Sequence, residues 1–276
     1  MKIGVIGLGI IGSVYARNYA AAGKLAGTWN RTPQPGAPEW QDTPEAITDA
    51  ADVVQIVVAG PPAVEAILAR VAPRLGPGKV VVQSSTIDPA SSTKFSALVT
   101  ARGARYLEAP FTGGKLAAEA KKTVFYLGGD RALMTEMDPL LALTSEHRLV
   151  IGTIEQATSI KLAMNMILAV QMEGICEALT LARRAGISDD VFFEVFGKNS
   201  GYSALAKMKE PKLRAGDFSP QFSVKHMLKD MRLAAQMKGG GELPALDTVR
   251  ERLARAEQAG WADEDYTAII KLLEGK

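Results

Sequence analysis

The chain has 276 residues, 47% of them hydrophobic, and its 32 basic and 30 acidic side chains leave a net charge of +2. That length and apolar content can bury the cores of two domains. The near-neutral balance, with no Lys/Arg block and no aromatic-basic interleaving, argues against a nucleic-acid partner. One cysteine and two histidines can build neither a disulfide nor a zinc site, so no metal is expected. Cys176, in an apolar helical pattern, reads as a buried inert thiol.

The first apolar run, Ile3, Val5 and Ile6, is a strand that leads directly into Gly7-Leu8-Gly9-Ile10-Ile11-Gly12, and a proline-free helical pattern follows from Ser13 to Ala22. In that strand-turn-helix setting G-x-G-x-x-G is a dinucleotide-binding turn. The first glycine permits the bend, the second lets backbone touch a pyrophosphate, and the third lets helix and strand pack closely. The open amides and dipole of the helix start then face the phosphates. A strand here is not a signal peptide, and no apolar run in the sequence reaches the length of a membrane span; a cytoplasmic protein without a membrane partner is expected. The second strand, Leu25 to Trp29, ends in Asn30-Arg31-Thr32. An acid there would take the ribose 2′-hydroxyl of NAD, whereas a guanidinium fork and a hydroxyl suit a 2′-phosphate, so NADP is preferred over NAD.

Further strands are predicted at 53–58, 80–83, 106–109 and 124–127, separated by helix-length or turn-rich segments. That is the βαβ rhythm of a parallel sheet wound on both faces. The rhythm stops near Gly152. From Thr153 to Arg184 runs one apolar pattern with no proline and only Gly174, a helix of roughly 30 residues and about 45 Å. It is predicted to bridge to an all-helical region broken at Gly186, 197–201, Pro211, 216–220 and 239–244. The expected class is therefore α/β, an N-terminal Rossmann-type doubly wound parallel sheet (1–152) followed by a C-terminal all-α domain (153–276). The apolar excess along Met164 to Leu181 predicts a homodimer or homotetramer.

Three segments could carry chemistry: Gln83-Ser84-Ser85-Thr86 closing a strand, Ala109-Pro110-Phe111-Thr112-Gly113-Gly114-Lys115 after another, and Lys161-x-x-x-Asn165 on the bridging helix. Thr112 with two following bare amides is either an anion cradle or an ordinary turn. Lys161 and Asn165 share a helical face, and Ile160, Leu162, Ala163 and Met164 make the surroundings apolar. Periodicity alone leaves Lys161 either solvated or functional.

In this order, G-L-G-I-I-G at 7–12, S-S-T-I-D-P at 84–89, A-P-F-T-G-G-K at 109–115, K-L-A-M-N at 161–165 and F-S-V-K-H-M-L-K-D-M at 222–231 make the chain resemble the β-hydroxyacid dehydrogenases along essentially its whole length. That family includes 3-hydroxyisobutyrate dehydrogenase and the glyoxylate/succinic semialdehyde reductases. The resemblance implies that Val58, Ala59, Thr86 and Lys229 join the glycine turn in holding the cofactor. It also implies that Thr112, Gly113 and Gly114 hold a substrate carboxylate, that Phe222 and Asp230 line the substrate, that Lys161 is the acid/base and that Asn165 assists it. The expected reaction is NADPH-dependent hydride transfer to a small semialdehyde or keto acid, or its reverse, on a carboxylate-bearing substrate. The chain departs from the family at Glu155-Gln156-Ala157, where a glycine-x-glycine is common. Glu155 is expected to add a carboxylate near the substrate entrance. Thr112 replaces the commoner serine, and Ile11 stands where methionine is usual. Imine reductases share the architecture but usually lack the lysine, and a non-catalytic cofactor-binding relative would have no need to keep Lys161 with Asn165. A phosphogluconate-type decarboxylase needs a longer helical domain.

Overall fold

The structure is a computed structural model and describes every residue except 238, 240 and 276. It divides into two compact units, Met1–Lys161 and Leu162–Lys276. In the first, the strands are β1 (Ile3–Ile6), β2 (Leu25–Trp29), β3 (Val53–Ile56), β4 (Val80–Gln83), β5 (Arg105–Glu108), β6 (Phe111–Thr112), β7 (Thr123–Gly129) and β8 (Ser145–Gly152). The helices are α1 (Gly12–Ala21), α2 (Pro44–Ala50), α3 (Pro61–Val71), α4 (Pro89–Thr100), α5 (Lys115–Glu119) and α6 (Arg131–Leu141).

Among the described residues the sheet runs β2-β1-β3-β4-β5-β7-β6, with β8 on β7. The first five strands are mutually parallel. Beyond them β7 enters antiparallel to β5 and β6, and β8 lies parallel to β7, so the sheet is mixed at this end. The core strands read as continuous apolar runs because both faces are buried. Side chains alternate faces: Val80 and Val82 join Ile3, Val5, Tyr15 and Phe125 in one cluster, while Val81 joins Ile6, Ile56, Leu68 and Phe95 in the other.

The unit boundary falls inside α7 (Ile154–Arg184). After it come α8 (Asp189–Phe196), α9 (Ala204–Ala215), α10 (Val224–Gln236), α11 (Pro244–Ala256) and α12 (Lys271–Glu274). Contrary to the expectation from sequence, α7 is long and apolar enough to cross a bilayer by length and composition. Its Leu162, Ala169, Met172, Cys176 and Leu179 are instead buried in the helical core with Phe193, Leu213, Met227, Met231 and Leu253. Nor does the helix break at Pro211, which lies inside α9. One residue to each side, Lys212 pairs with Asp217 at 2.8 Å and Glu210 with Arg214 at 2.8 Å. The first ties the last turn of α9 to the segment beyond it, and the second is an i,i+4 pair on the helix surface.

Candidate active site

The glycine turn after β1 is built by close approach. Gly7 has φ of 103°, and a Cβ on it would lie 2.2 Å from the Val57 carbonyl oxygen; a Cβ on Gly12 would lie 1.9 Å from the Gly7 carbonyl oxygen. Around Gly9 the reverse holds, because a Cβ there would meet nothing within 4 Å. The middle glycine thus bares backbone to open space at the start of α1, whose first residues carry no side-chain cap and no acid. Open backbone, uncapped helix and absent carboxylate together fit a dinucleotide pyrophosphate. Leu8 is buried, Ile10 is exposed and Ile11 is half-buried.

Asn30, at the end of β2, braces this turn from within the protein. Its Oδ1 accepts the Leu8 N–H at 3.0 Å and its Nδ2 donates to the Thr32 carbonyl at 3.0 Å. Arg31 and Thr32 are exposed. Val58 and Ala59 follow β3, half-buried and exposed in turn, and the Val58 N–H donates to Ser85 Oγ at 2.8 Å. Thr86 is half-buried two residues beyond the buried Ser84.

Beneath the strand ends lies a carboxyl whose importance was not read from the sequence. Glu108 is fully buried. Its Oε1 accepts from Gln83 Nε2 at 2.8 Å, and its Oε2 from Ser92 Oγ at 2.5 Å and the Tyr106 hydroxyl at 2.7 Å. Burial pushes its pKa up to about 8 against the opposing pull of those three donors, with Glu155 adding to the rise. Gln83 also closes on Ser85, donating to its carbonyl at 2.8 Å and accepting its N–H at 2.7 Å.

Thr112 ends the short strand β6, and Gly113 and Gly114 follow it before α5. Gly113 has φ of 117°, and a Cβ there would sit 3.1 Å from both Ala117 Cβ and Thr123 Cγ2, whereas one on Gly114 would meet open space. The loop is pinned to α1: Tyr15 packs edge-on against Phe111 with ring centroids 5.4 Å apart, its hydroxyl donates to Thr123 Oγ1 at 3.0 Å, and Asn18 Nδ2 donates to the Ala118 carbonyl at 3.2 Å. Burial raises the pKa of Tyr126, and the Thr112 side chain opposes the rise. Tyr126 was not singled out from sequence, although its place two residues from Val124, the register partner of Thr112, would have suggested it.

Glu155-Gln156-Ala157 serves the start of α7. Thr153 and Gln156 form a reciprocal capping pair: the Thr153 N–H donates to Gln156 Oε1 at 2.9 Å and the Gln156 N–H to Thr153 Oγ1 at 3.3 Å. Glu155 accepts from Thr93 Oγ1 at 2.8 Å, and hydrogen bonds from Thr153, from backbone and from Thr93 lower its pKa. Ala157 packs where a Cβ on Gly128 would come within 2.7 Å of its own.

Lys161 and Asn165 lie one turn apart on α7 and both are buried, at 8% and 2% exposure. In the helical unit Asn165 Nδ2 donates to Asp230 Oδ2 at 2.6 Å, and the Lys229 ammonium lies 2.6 Å from Asp230 Oδ1. Asp230 itself is 1% exposed. Phe222 is half-buried, stacked on His226 and edge-on to Tyr266. Its N–H and that of Gln221 donate to Asp265 Oδ2 at 3.2 and 2.9 Å. Asp265 is in turn paired with the buried Lys209 at 2.8 Å. No cluster of His, Cys, Asp and Glu among the described residues could hold a metal.

The chain belongs to the β-hydroxyacid dehydrogenase family. Residues 2–152 match the NAD binding domain of 6-phosphogluconate dehydrogenase. Residues 156–273 match the NAD-binding family of NADP-dependent 3-hydroxyisobutyrate dehydrogenase. The chain is 30% identical to glyoxylate/succinic semialdehyde reductase 2 of Arabidopsis thaliana, a chloroplastic protein, over 99% of this chain and 80% of that one. It is 27% identical to reductase 1 of the same plant over 99% of both. The crystal structure of a 3-hydroxyisobutyrate dehydrogenase from Salmonella typhimurium superposes with a TM-score of 0.89 at 28% identity, covering 99% of each chain. The protein is an NAD(P)-dependent oxidoreductase of the hydroxyacid dehydrogenase/reductase type.

Proposed function

We propose that the protein reduces a small carboxylate-bearing semialdehyde or keto acid with NADPH, using Lys161 as the proton donor. The observation that carries this reading is the buried polar set on α7 and α10. An ammonium-bearing side chain and an amide are kept out of water one turn apart on α7, flanked by Ile160, Leu162, Ala163 and Met164. Buried and flanked by apolar side chains, both groups are in a low-dielectric setting, where placed polar groups act strongly on a bound substrate.

Asp230 is acceptor-only as a carboxylate, so the 2.6 Å contact fixes which end of Asn165 is the NH2 group. The Asn165 carbonyl oxygen is then the acceptor end, suited to an ammonium one turn earlier on the same face. Lys161 donates its proton to the developing alkoxide and recovers it from solvent afterwards. Thr112 with the amides of Gly113 and Gly114 fixes the carboxylate, which holds the reacting carbon in register. Gly7, Gly9 and Gly12 with the α1 amides would hold the pyrophosphate, Val58, Ala59 and Thr86 the nicotinamide side, and Arg31 with Thr32 a 2′-phosphate. Bound there, a reduced nicotinamide supplies the hydride.

The test is Lys161→Ala assayed with NADPH on glyoxylate, succinic semialdehyde, methylmalonate semialdehyde and tartronate semialdehyde. Cofactor affinity is expected to persist while turnover on the best substrate falls roughly a hundred- to ten-thousand-fold, the range of acid-base catalysis. Lys161→Arg is expected to do little better, since a guanidinium does not give up its proton near neutral pH. Retention of more than about a tenth of wild-type turnover by either variant would overturn the assignment.

A further inference from the structure

We propose that Glu108 is a positioning residue for the cofactor side of the site, acting through Gln83 and Ser85 on the segments 57–60 and 84–86. The path is continuous: Glu108 Oε1 to Gln83 Nε2 at 2.8 Å, Gln83 Oε1 to the Ser85 N–H at 2.7 Å, Ser85 Oγ to the Val58 N–H at 2.8 Å. Glu108 and Gln83 are fully buried and Ser85 is 3% exposed. A shift at the carboxyl therefore has no water to absorb it and passes along the chain. The proposal rests on the reading that Val58, Ala59 and Thr86 hold the cofactor.

The groups that face Glu108 say how the device responds to protons. Gln83 reaches it from β4, Ser92 from α4 and Tyr106 from β5, while Glu155 of α7 acts on it through charge alone and with the same sign. No cation is among them. With its proton on, the carboxyl donates from Oε2 to one of the two hydroxyls, each of which accepts as readily as it donates. With the proton off, the carboxylate sits in a dry site beside a second negative charge, which raises its pKa, and is held there by the hydrogen bonds it accepts from Gln83, Ser92 and Tyr106. Burial holds the carboxyl protonated up to about pH 8; above it the bond that Oε1 accepts from Gln83 Nε2 becomes charge-assisted and stronger, so the Val58 and Ser85 segments are held more firmly.

The experiment measures the NADPH dissociation constant by fluorescence between pH 7 and pH 9.5 for the wild type, Glu108→Gln and Gln83→Met, with melting temperatures taken without cofactor. Glu108→Gln keeps the shape and is neutral throughout. The wild type is expected to tighten by about fivefold or more across the window, the low end of a site-to-site coupling, whereas Glu108→Gln stays flat at the weaker, low-pH value. Gln83→Met leaves Glu108 held by Ser92 and Tyr106 and cuts the path. It is expected to bind weakly at every pH and to lose the step. A melting-temperature change in Glu108→Gln with the wild-type affinity profile retained would reduce Glu108 to a structural residue and overturn the proposal, leaving the cofactor reading intact. Failure of the wild type to bind NADPH or NADH at any pH would remove the cofactor reading, and the proposal with it.

Discussion

Replacing Gly9 and Gly12 by alanine, one at a time, should split cofactor binding from folding. Alanine at 12 places a Cβ 1.9 Å from the Gly7 carbonyl oxygen and 3.5 Å from Val57 Cβ. The first contact is with a backbone oxygen, and because the backbone fixes the position of a Cβ no rotamer change relieves it. The turn must open by more than an ångström, an overpacking strain of about 1–3 kcal/mol or more, which lowers the melting temperature by about 2–4 °C per kcal/mol in a unit of this size. Alanine at 9 meets no atom within 4 Å and needs no left-handed backbone, so the melting temperature should hold or rise slightly. The same methyl stands where the backbone must touch the pyrophosphate. Losing one charge-assisted contact of about 1.5–3 kcal/mol weakens NADPH binding by roughly 10- to 150-fold. Differential scanning fluorimetry without cofactor and fluorescence titration with NADPH read the two effects separately. Gly9→Ala binding within about twofold of wild type, or a Gly9→Ala melting temperature as low as that of Gly12→Ala, would refute the reasoning, since a full contact is at stake.

Arg31 is exposed at the end of β2 with no acid in the Asn30-Arg31-Thr32 segment, so Arg31→Glu should weaken NADP by about 1.5–3 kcal/mol and NAD less; an unchanged ratio of the two affinities would place Arg31 in solvent. Thr112→Ala should raise KM for a carboxylate substrate more than it lowers kcat, because that contact exists in ground and transition states alike. Equal efficiency on an aldehyde without a carboxylate would show that the Thr112-Gly113-Gly114 loop holds something else.

Where structure follows from local rules, the sequence was legible. The bounds of β2 and β4 agree with the apolar runs that predicted them, and α7 runs from 154 to 184 against a predicted 153–184. Short β-rich runs with turn residues on either side carry their own limits. Two strands escaped. β6 has two residues, too few for any period, and β8 has Glu146, His147, Leu149 and Val150 exposed, so it shows no alternation. The antiparallel entry of β7 escaped as well, since strand direction is decided by which edges remain open after β5 and is not written in periodicity. The candidate site divides the same way. Glycines at fixed offsets and Lys161-x-x-x-Asn165 are local patterns, whereas Glu108, Gln83 and Ser92 meet across separations of 25 and 16 residues. Only a lone acid in the strand Arg105–Glu108, otherwise apolar at its buried positions, hinted at that centre.

The departure at Glu155-Gln156-Ala157 changes meaning once its bonds are known. From sequence it looked like a carboxylate added at the substrate entrance. In the structure Gln156 and Thr153 cap α7, Glu155 is engaged by Thr93 and the helix start, and Ala157 fills the space that Gly128 leaves open. A helix that must hold Lys161 in place two turns later benefits from a firmly capped start, because its first four N–H groups have no partner within the helix. The three residues thus fix the start of α7, and the charge of Glu155 adds to the rise in the pKa of Glu108. On the proposed reading, substrate choice lies with groups at the carboxylate loop, chiefly Thr112. A serine at 112 would offer the same hydroxyl without the methyl that limits its rotation. On the proposed reading the threonine thus holds its oxygen more narrowly, which would favour one carboxylate position and so a narrower range of substrate lengths.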